Sequence, residues 1–148
     1  MNLFAPSLRS ARNAAVVATC GFAAIAVFEL ALAFGAPMGH AAYGGITAQL
    51  SAGERAVSVV AVIVWLTAGV IVLGRSGVIS VRGHAQLFRR GTWAIVALSA
   101  VAALPNFASQ SPWEHFLFGP AALALACFCV VVARSATGTP SRDYSPER

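Results

Sequence analysis

Charge is what this sequence lacks most. Only 10% of its 148 residues are charged, against roughly 25% in an ordinary soluble domain, and it has no lysine at all. With 58% hydrophobic residues, too little polar surface remains to cover a water-soluble globule. Also missing are a Ser/His/Asp set, a nucleotide-binding glycine loop, a haem or quinone motif and any His-x3-His spacing. No catalytic residue, metal or cofactor is therefore assigned. Acidic residues number five against ten arginines, for a net charge of +5. No basic helix or aromatic-interleaved groove accompanies that excess, which argues against nucleic acid as a partner.

The three cysteines, Cys20, Cys127 and Cys129, all fall in apolar runs. On a helix two positions are about 200° apart, so Cys127 and Cys129 can neither bridge nor share a metal there. All three read as small packing residues.

What the sequence does have is four apolar runs, at residues 14–34, 56–73, 93–108 and 116–133. Each is close to the roughly 20 residues that cross a hydrocarbon core, and together they make one membrane domain over residues 14–134. Residues 1–13 form a polar N-terminal segment, and residues 135–148, rich in Pro, Ser, Gly and Thr, a disordered tail. The first run resembles a signal peptide, with Arg9 and Arg12 before it and Ala31-Leu32-Ala33 near its end. Its length and the interrupting Glu29 favour a retained span.

The arginines sit between the runs, as topology signals do. Arg9, Arg12, Arg75, Arg82, Arg89, Arg90, Arg134, Arg142 and Arg148 fall on one side, and Arg55 alone on the other. Both termini are then cytoplasmic. Short connections make neighbours antiparallel, so the expected fold is all-α, an integral membrane four-helix up-down bundle. Trp93 would anchor the third helix at the interface, and Pro105-Asn106 would end or bend it. Ser111 and Glu114 suggest a capping box at the start of the fourth helix, and Gly119-Pro120 a kink just after it.

Most of the unusual residues lie in or near the first outer connection, residues 35–55. Gly44-Gly45 marks a turn, and Tyr43 suits the membrane interface. Glu29 stands about five residues, roughly 7 Å, below the outer end of the first helix. An ionisable group at that depth faces protein or water, not lipid. It is either a structural carboxylate or a ligand, proton or ion site. Arg55, on the same side, is its expected partner, and such a pair would make substitutions at the two positions non-additive. Asn106, Glu114 and His115 at the outer ends of the last two helices, with His40 in the loop, complete a candidate polar cluster. Glu29, His40, Glu54, Glu114 and His115 have metal-binding chemistry but lack metal-site spacing.

Two stretches carry a resemblance. They are Gly35-Ala36-Pro37-Met38-Gly39-His40-Ala41-Ala42-Tyr43-Gly44-Gly45, followed by Arg55 and Ser58, and Ser111-Pro112-Trp113-Glu114-His115-Phe116-Leu117-Phe118-Gly119-Pro120. They resemble a family of small, uncharacterised bacterial four-helix membrane proteins. In that family the first outer loop runs Gly-Ala-Pro-Trp-Gly and then Trp-Gly-Gly, and the last runs Pro-Ser-x-x-Glu-Arg before a Trp-Gly-Pro helix start. Met38, Tyr43, His115 and Phe118 replace the usual Trp, Trp, Arg and Trp. The resemblance implies a multi-pass protein of the bacterial cytoplasmic (inner) membrane and brings no activity with it. The expected function is a non-catalytic accessory or small-ligand-binding component, with membrane lipid and a homo-oligomer or larger complex as partners. The alternative is an enzyme or carrier for a lipidic molecule that uses Glu29. A closed, ion-paired cluster would mean structure, and a cavity around Glu29 would mean a ligand.

Overall fold

The computed structural model describes residues 6–80 and 83–135. Residues 1–5, residues 81–82 with Arg82, and the tail from residue 136 onward, with Arg142 and Arg148, lie outside the described part. Among the described residues the chain is all-helical, with four helices long and apolar enough to cross a membrane. Helix α1 is Leu8–Ala33, α2 is Ala52–Ser76 and α3 is Ala85–Ala108; a wide π turn at Glu114–Phe118 leads into α4, Gly119–Arg134. The spans measure 26, 25, 24 and 21 residues, each above the roughly 20 that hydrocarbon requires.

Their outer surfaces are apolar. Ile63, Leu104 and Phe116 are 61%, 67% and 77% exposed, which in water would be a large unpartnered hydrophobic surface. Against lipid tails it is the expected exterior of a multi-pass membrane protein. The helices form an up-down bundle in which α1 packs extensively on α2 and α3 on α4; α1 also meets α4, and α2 meets α3 more thinly.

The helices extend beyond the apolar runs. Helix α1 starts at Leu8, not residue 14, because Ser7 caps it, its hydroxyl accepting from the Ser10 N–H at 3.1 Å. Helix α2 starts at Ala52 under a full capping box. There the Ser51 hydroxyl accepts from the Glu54 N–H, and the Glu54 carboxylate accepts from the Ser51 N–H at 2.8 Å. Helix α3 starts at Ala85 and carries Arg89 and Arg90 in its opening turns. Polar residues can occupy such end turns where a helix projects past the hydrocarbon, and these turns are invisible to a search for apolar runs.

The capping box expected at Ser111 and Glu114 is not formed. The Ser111 hydroxyl donates instead to the His40 carbonyl at 2.8 Å, and the Glu114 carboxylate serves the first loop. Nor does Pro105 end α3, which continues to Ala108. The kink expected at Gly119-Pro120 takes the form of the preceding π turn, closed by the Gly119 N–H donating to the Glu114 carbonyl. Widening the turn eases the clash of a proline ring with the carbonyl four residues back.

The two ends of the bundle differ. One end, the loop end, carries the long connection of residues 34–51 and the turn of residues 109–113; the opposite one is the far end. The far end is filled. Ala14, Ala15, Ala18 and Phe22 of α1, Val72 of α2, Ile95 of α3, and Cys129 and Val132 of α4 form one buried core. Cys129 is thus a packing residue, whereas Cys20 and Cys127 lie exposed on the outer surface. Arg75, 8% exposed, closes this end by donating to the carbonyls of Ala133 and Ser135 at 3.2 and 2.8 Å.

Gly74 distinguishes this helix boundary from the one expected at residue 73. It lies inside α2, where an added Cβ would come within 2.5 Å of the Phe88 ring. Gly74→Leu should therefore overpack the α2–α3 contact and lower stability by about 1–3 kcal/mol. A thermal melt of the detergent-solubilised variant checks this, since a glycine in an open loop would tolerate the change.

Candidate functional site

The loop end is not filled. A pocket of about 730 Å³ opens between the helices beneath the first loop, with walls from all four of them. Ile25, Trp65 and Leu125 form its floor against the packed half of the bundle, and Ala41 to Gly44 lie over it. A volume of this size suits a small molecule.

The loop is placed over the pocket by unusual backbone geometry. Tyr43, Gly44 and Gly45 all have positive φ, at 51°, 83° and 74°. For an aromatic residue such as Tyr43 this conformation is strained, and it holds only where the surroundings enforce it. Three contacts do so. The Gly44 N–H donates to the Glu114 carboxylate at 3.0 Å, the His40 ring Nδ1 donates to the Gly45 carbonyl at 2.9 Å, and the Ser111 hydroxyl reaches the His40 carbonyl. Ser109 completes the latch, donating its hydroxyl to Glu114 in a short hydrogen bond and accepting from the Ser111 N–H at 3.0 Å. The first loop is thereby fastened to the α3–α4 turn.

The latch turns Tyr43 inward. Its hydroxyl donates to the Glu54 carbonyl at 3.2 Å and lies 2.9 Å from the Ser58 hydroxyl. Ser58, completely buried, also stands beside the Glu29 carboxyl group. A serine has one proton to donate. Where that proton goes to Glu29, Ser58 can still accept from Tyr43, so the one serine can serve both groups. Glu29 Oε2 is buried at the pocket wall with no hydrogen-bond partner. A buried polar atom in that state carries a desolvation cost that a bound donor or cation would relieve.

The expected Glu29–Arg55 pair is absent. Arg55 Nε donates at 2.9 Å to the Ala33 carbonyl, completing the cap of α1. The other terminal carbonyls there, of Leu30, Ala31 and Leu32, accept from the N–H groups of Phe34, Ala36 and Gly35. Gly35, at φ 88°, makes that reversal possible. A guanidinium at a helix C-terminus also meets the negative end of its dipole, so Arg55 is already engaged.

Of the six residues expected in the polar cluster, Glu29, Asn106 and Glu114 line the pocket. Asn106 uses its amide N–H on the Ala102 carbonyl at 2.7 Å. His40, Arg55 and His115 do not line it. His40 is exposed on the loop, and the His115 ring lies edge-on to Phe107 and Phe116, with centroids 6.2 and 4.6 Å away. Tyr43, Ser58 and Ser109 belong to the site in their place. Among the described residues no three His, Cys, Asp or Glu side chains are grouped to hold a metal ion.

No known protein family, characterised protein or solved structure is detectably similar to this chain. Its function is therefore argued from the site itself.

With Arg55 engaged at Ala33, Glu29→Gln and Arg55→Gln should add within about 0.5 kcal/mol in a double-mutant cycle, and strong coupling would restore the ion pair. Tyr43 gives a second check. Burial, then the nearby carboxylates of Glu29 and Glu54, raise its hydroxyl above the ordinary pKa of 10.0. The folded state then keeps its stability below about pH 10 and loses it as pH rises through the Tyr43 value. Ultraviolet titration in a Tyr144→Phe background should show tyrosinate appearing later than in free tyrosine, and earlier once Glu29→Gln is added.

Proposed function

We propose that this chain is a small-ligand-binding integral membrane protein, non-catalytic, whose site is the pocket beneath the first loop. One observation carries the reading: Glu29 places an unpartnered, buried carboxyl oxygen on the wall of a pocket of about 730 Å³. A carboxyl group kept only for structure would be paired or fully hydrogen-bonded. Its expected partner, Arg55, instead caps the end of α1, the helix that carries Glu29.

The arginine distribution supports a location in the bacterial cytoplasmic membrane with both termini inside. The loop end then faces outward and the pocket lies in the outer leaflet, surrounded by lipid. The packed far end supports binding over carriage, because the core closes the bundle below Trp65 and Leu125. Kinship to the small four-helix family stays part of this proposal, resting on the Gly-Ala-Pro-x-Gly and Gly-Gly loop residues. Assembly with a second copy or a larger complex would use the apolar outer faces.

Native mass spectrometry of the gently extracted protein tests the reading. The parent should retain a specific small molecule or lipid that Glu29→Gln has lost. If parent and variant both come off bare, or both carry the same adduct, Glu29 is not a binding residue and the proposal falls.

A further inference from the structure

The pocket reveals its ligand's chemistry through what surrounds Glu29, and the inference rests on the binding role proposed above. Four aromatic rings line it, those of Phe28, Tyr43, Trp65 and Phe118. They come from α1, the first loop, α2 and the π turn, so the rings approach from different sides. Three of them are held in place by ring contacts. Trp65 stacks on the fully buried Phe22 with centroids 5.4 Å apart, and Phe28 meets Phe118 at 5.1 Å.

The charged groups at the wall are all of one sign. Glu29 and Glu114 line the pocket, and among the described residues that line it none is basic. Arg55, the nearest expected cation, is held at the Ala33 carbonyl. Glu114 is occupied by the Gly44 N–H and Ser109, whereas Glu29 Oε2 has no partner. An anion here would face two carboxyl groups with no counter-charge. A neutral apolar molecule would leave the Glu29 oxygen as it is. A cation would gain both the carboxylate and the electron-rich faces of aromatic rings, and the rest of the wall, with Ala61, Ala102, Ala122 and Leu125, suits an apolar body.

We infer that the pocket binds a lipophilic organic cation, with its charged centre against Glu29 among the four rings and its apolar part on the alanine and leucine wall.

The test uses the full chain in neutral maltoside detergent with tetraphenylphosphonium as probe and triphenylphosphine oxide as its uncharged counterpart. Of the three tryptophans, Trp93 and Trp113 are changed to phenylalanine, so that emission reports Trp65 at the pocket. The cation should shift this emission saturably and bind about tenfold or more tighter than the neutral compound, and Glu29→Gln should remove that preference. Phe118→Leu keeps the carboxylate and loses one ring face, so cation affinity should fall about threefold. Because it leaves Glu29 untouched, it keeps the test informative if Glu29→Gln does not fold. Equal binding of both compounds, insensitive to Glu29→Gln, would overturn the cation assignment and leave a pocket for neutral molecules. Binding of neither would overturn it too, and the mass-spectrometric comparison would then decide the pocket separately.

Discussion

Hydrocarbon offers a backbone no hydrogen bonds, so every carbonyl and N–H within it must find a partner in the protein. Helix interiors do this automatically, but helix ends leave up to four groups each without one. Much of what is distinctive here answers that demand. Gly35 lets the chain fold back on the last turn of α1, and Arg55 reaches across from α2 for the one carbonyl the reversal leaves over. Arg75 does the same at the far end, bridging from α2 to the C-terminus of α4. Two of the few cations in a charge-poor chain thus close helix ends. Because Arg55 is engaged in this way, Glu29 is left without a counter-ion, and the site follows from that.

The division of the bundle into a filled half and a hollow half has an equally plain origin. At the far end α1 presents Ala14, Ala15 and Ala18, so the other helices come close and the space fills. Towards the loop end Phe28, Trp65 and Phe118 line the pocket together with Ala61, Ala102 and Ala122, whose side chains are too short to fill it. The latch of Glu114, Ser109 and Ser111 then joins the two hairpins across the top, in place of the side-chain packing that joins them below.

The bundle was legible because apolar length is a strong signal: a run near 20 residues matches the thickness of hydrocarbon, and here four such runs follow one another. Glu29 was legible as an oddity of depth, and Asn106 and Glu114 as polar residues at the same end. The fate of Arg55 was not. Its partner is a backbone carbonyl, which every residue possesses, so nothing in the letters marks Ala33. Tyr43 and Ser58 escaped for a related reason. A tyrosine before two glycines looks like an interfacial anchor, and only the left-handed turn, enforced from the far side of the α3–α4 connection, points it inward. The start of α2, by contrast, was written in Ser51-x-x-Glu54. It lies outside the apolar run, and the same pattern at Ser111 is taken up by tertiary contacts.

The wide turn at Glu114–Phe118 has a consequence for how the site is kept in phase. A π turn is an α-helix carrying one extra residue, and each residue advances a helix by about 100°. The residues that lead into the turn, with Glu114 at its start, are rotated by that amount relative to α4. Helix α4 can therefore keep Leu125, Cys129 and Val132 facing the core while its opening residues follow a different phase, set by the loop. Glu114 meets Gly44 from that independent setting, so the first loop and the core are indexed separately along one continuous stretch of helix.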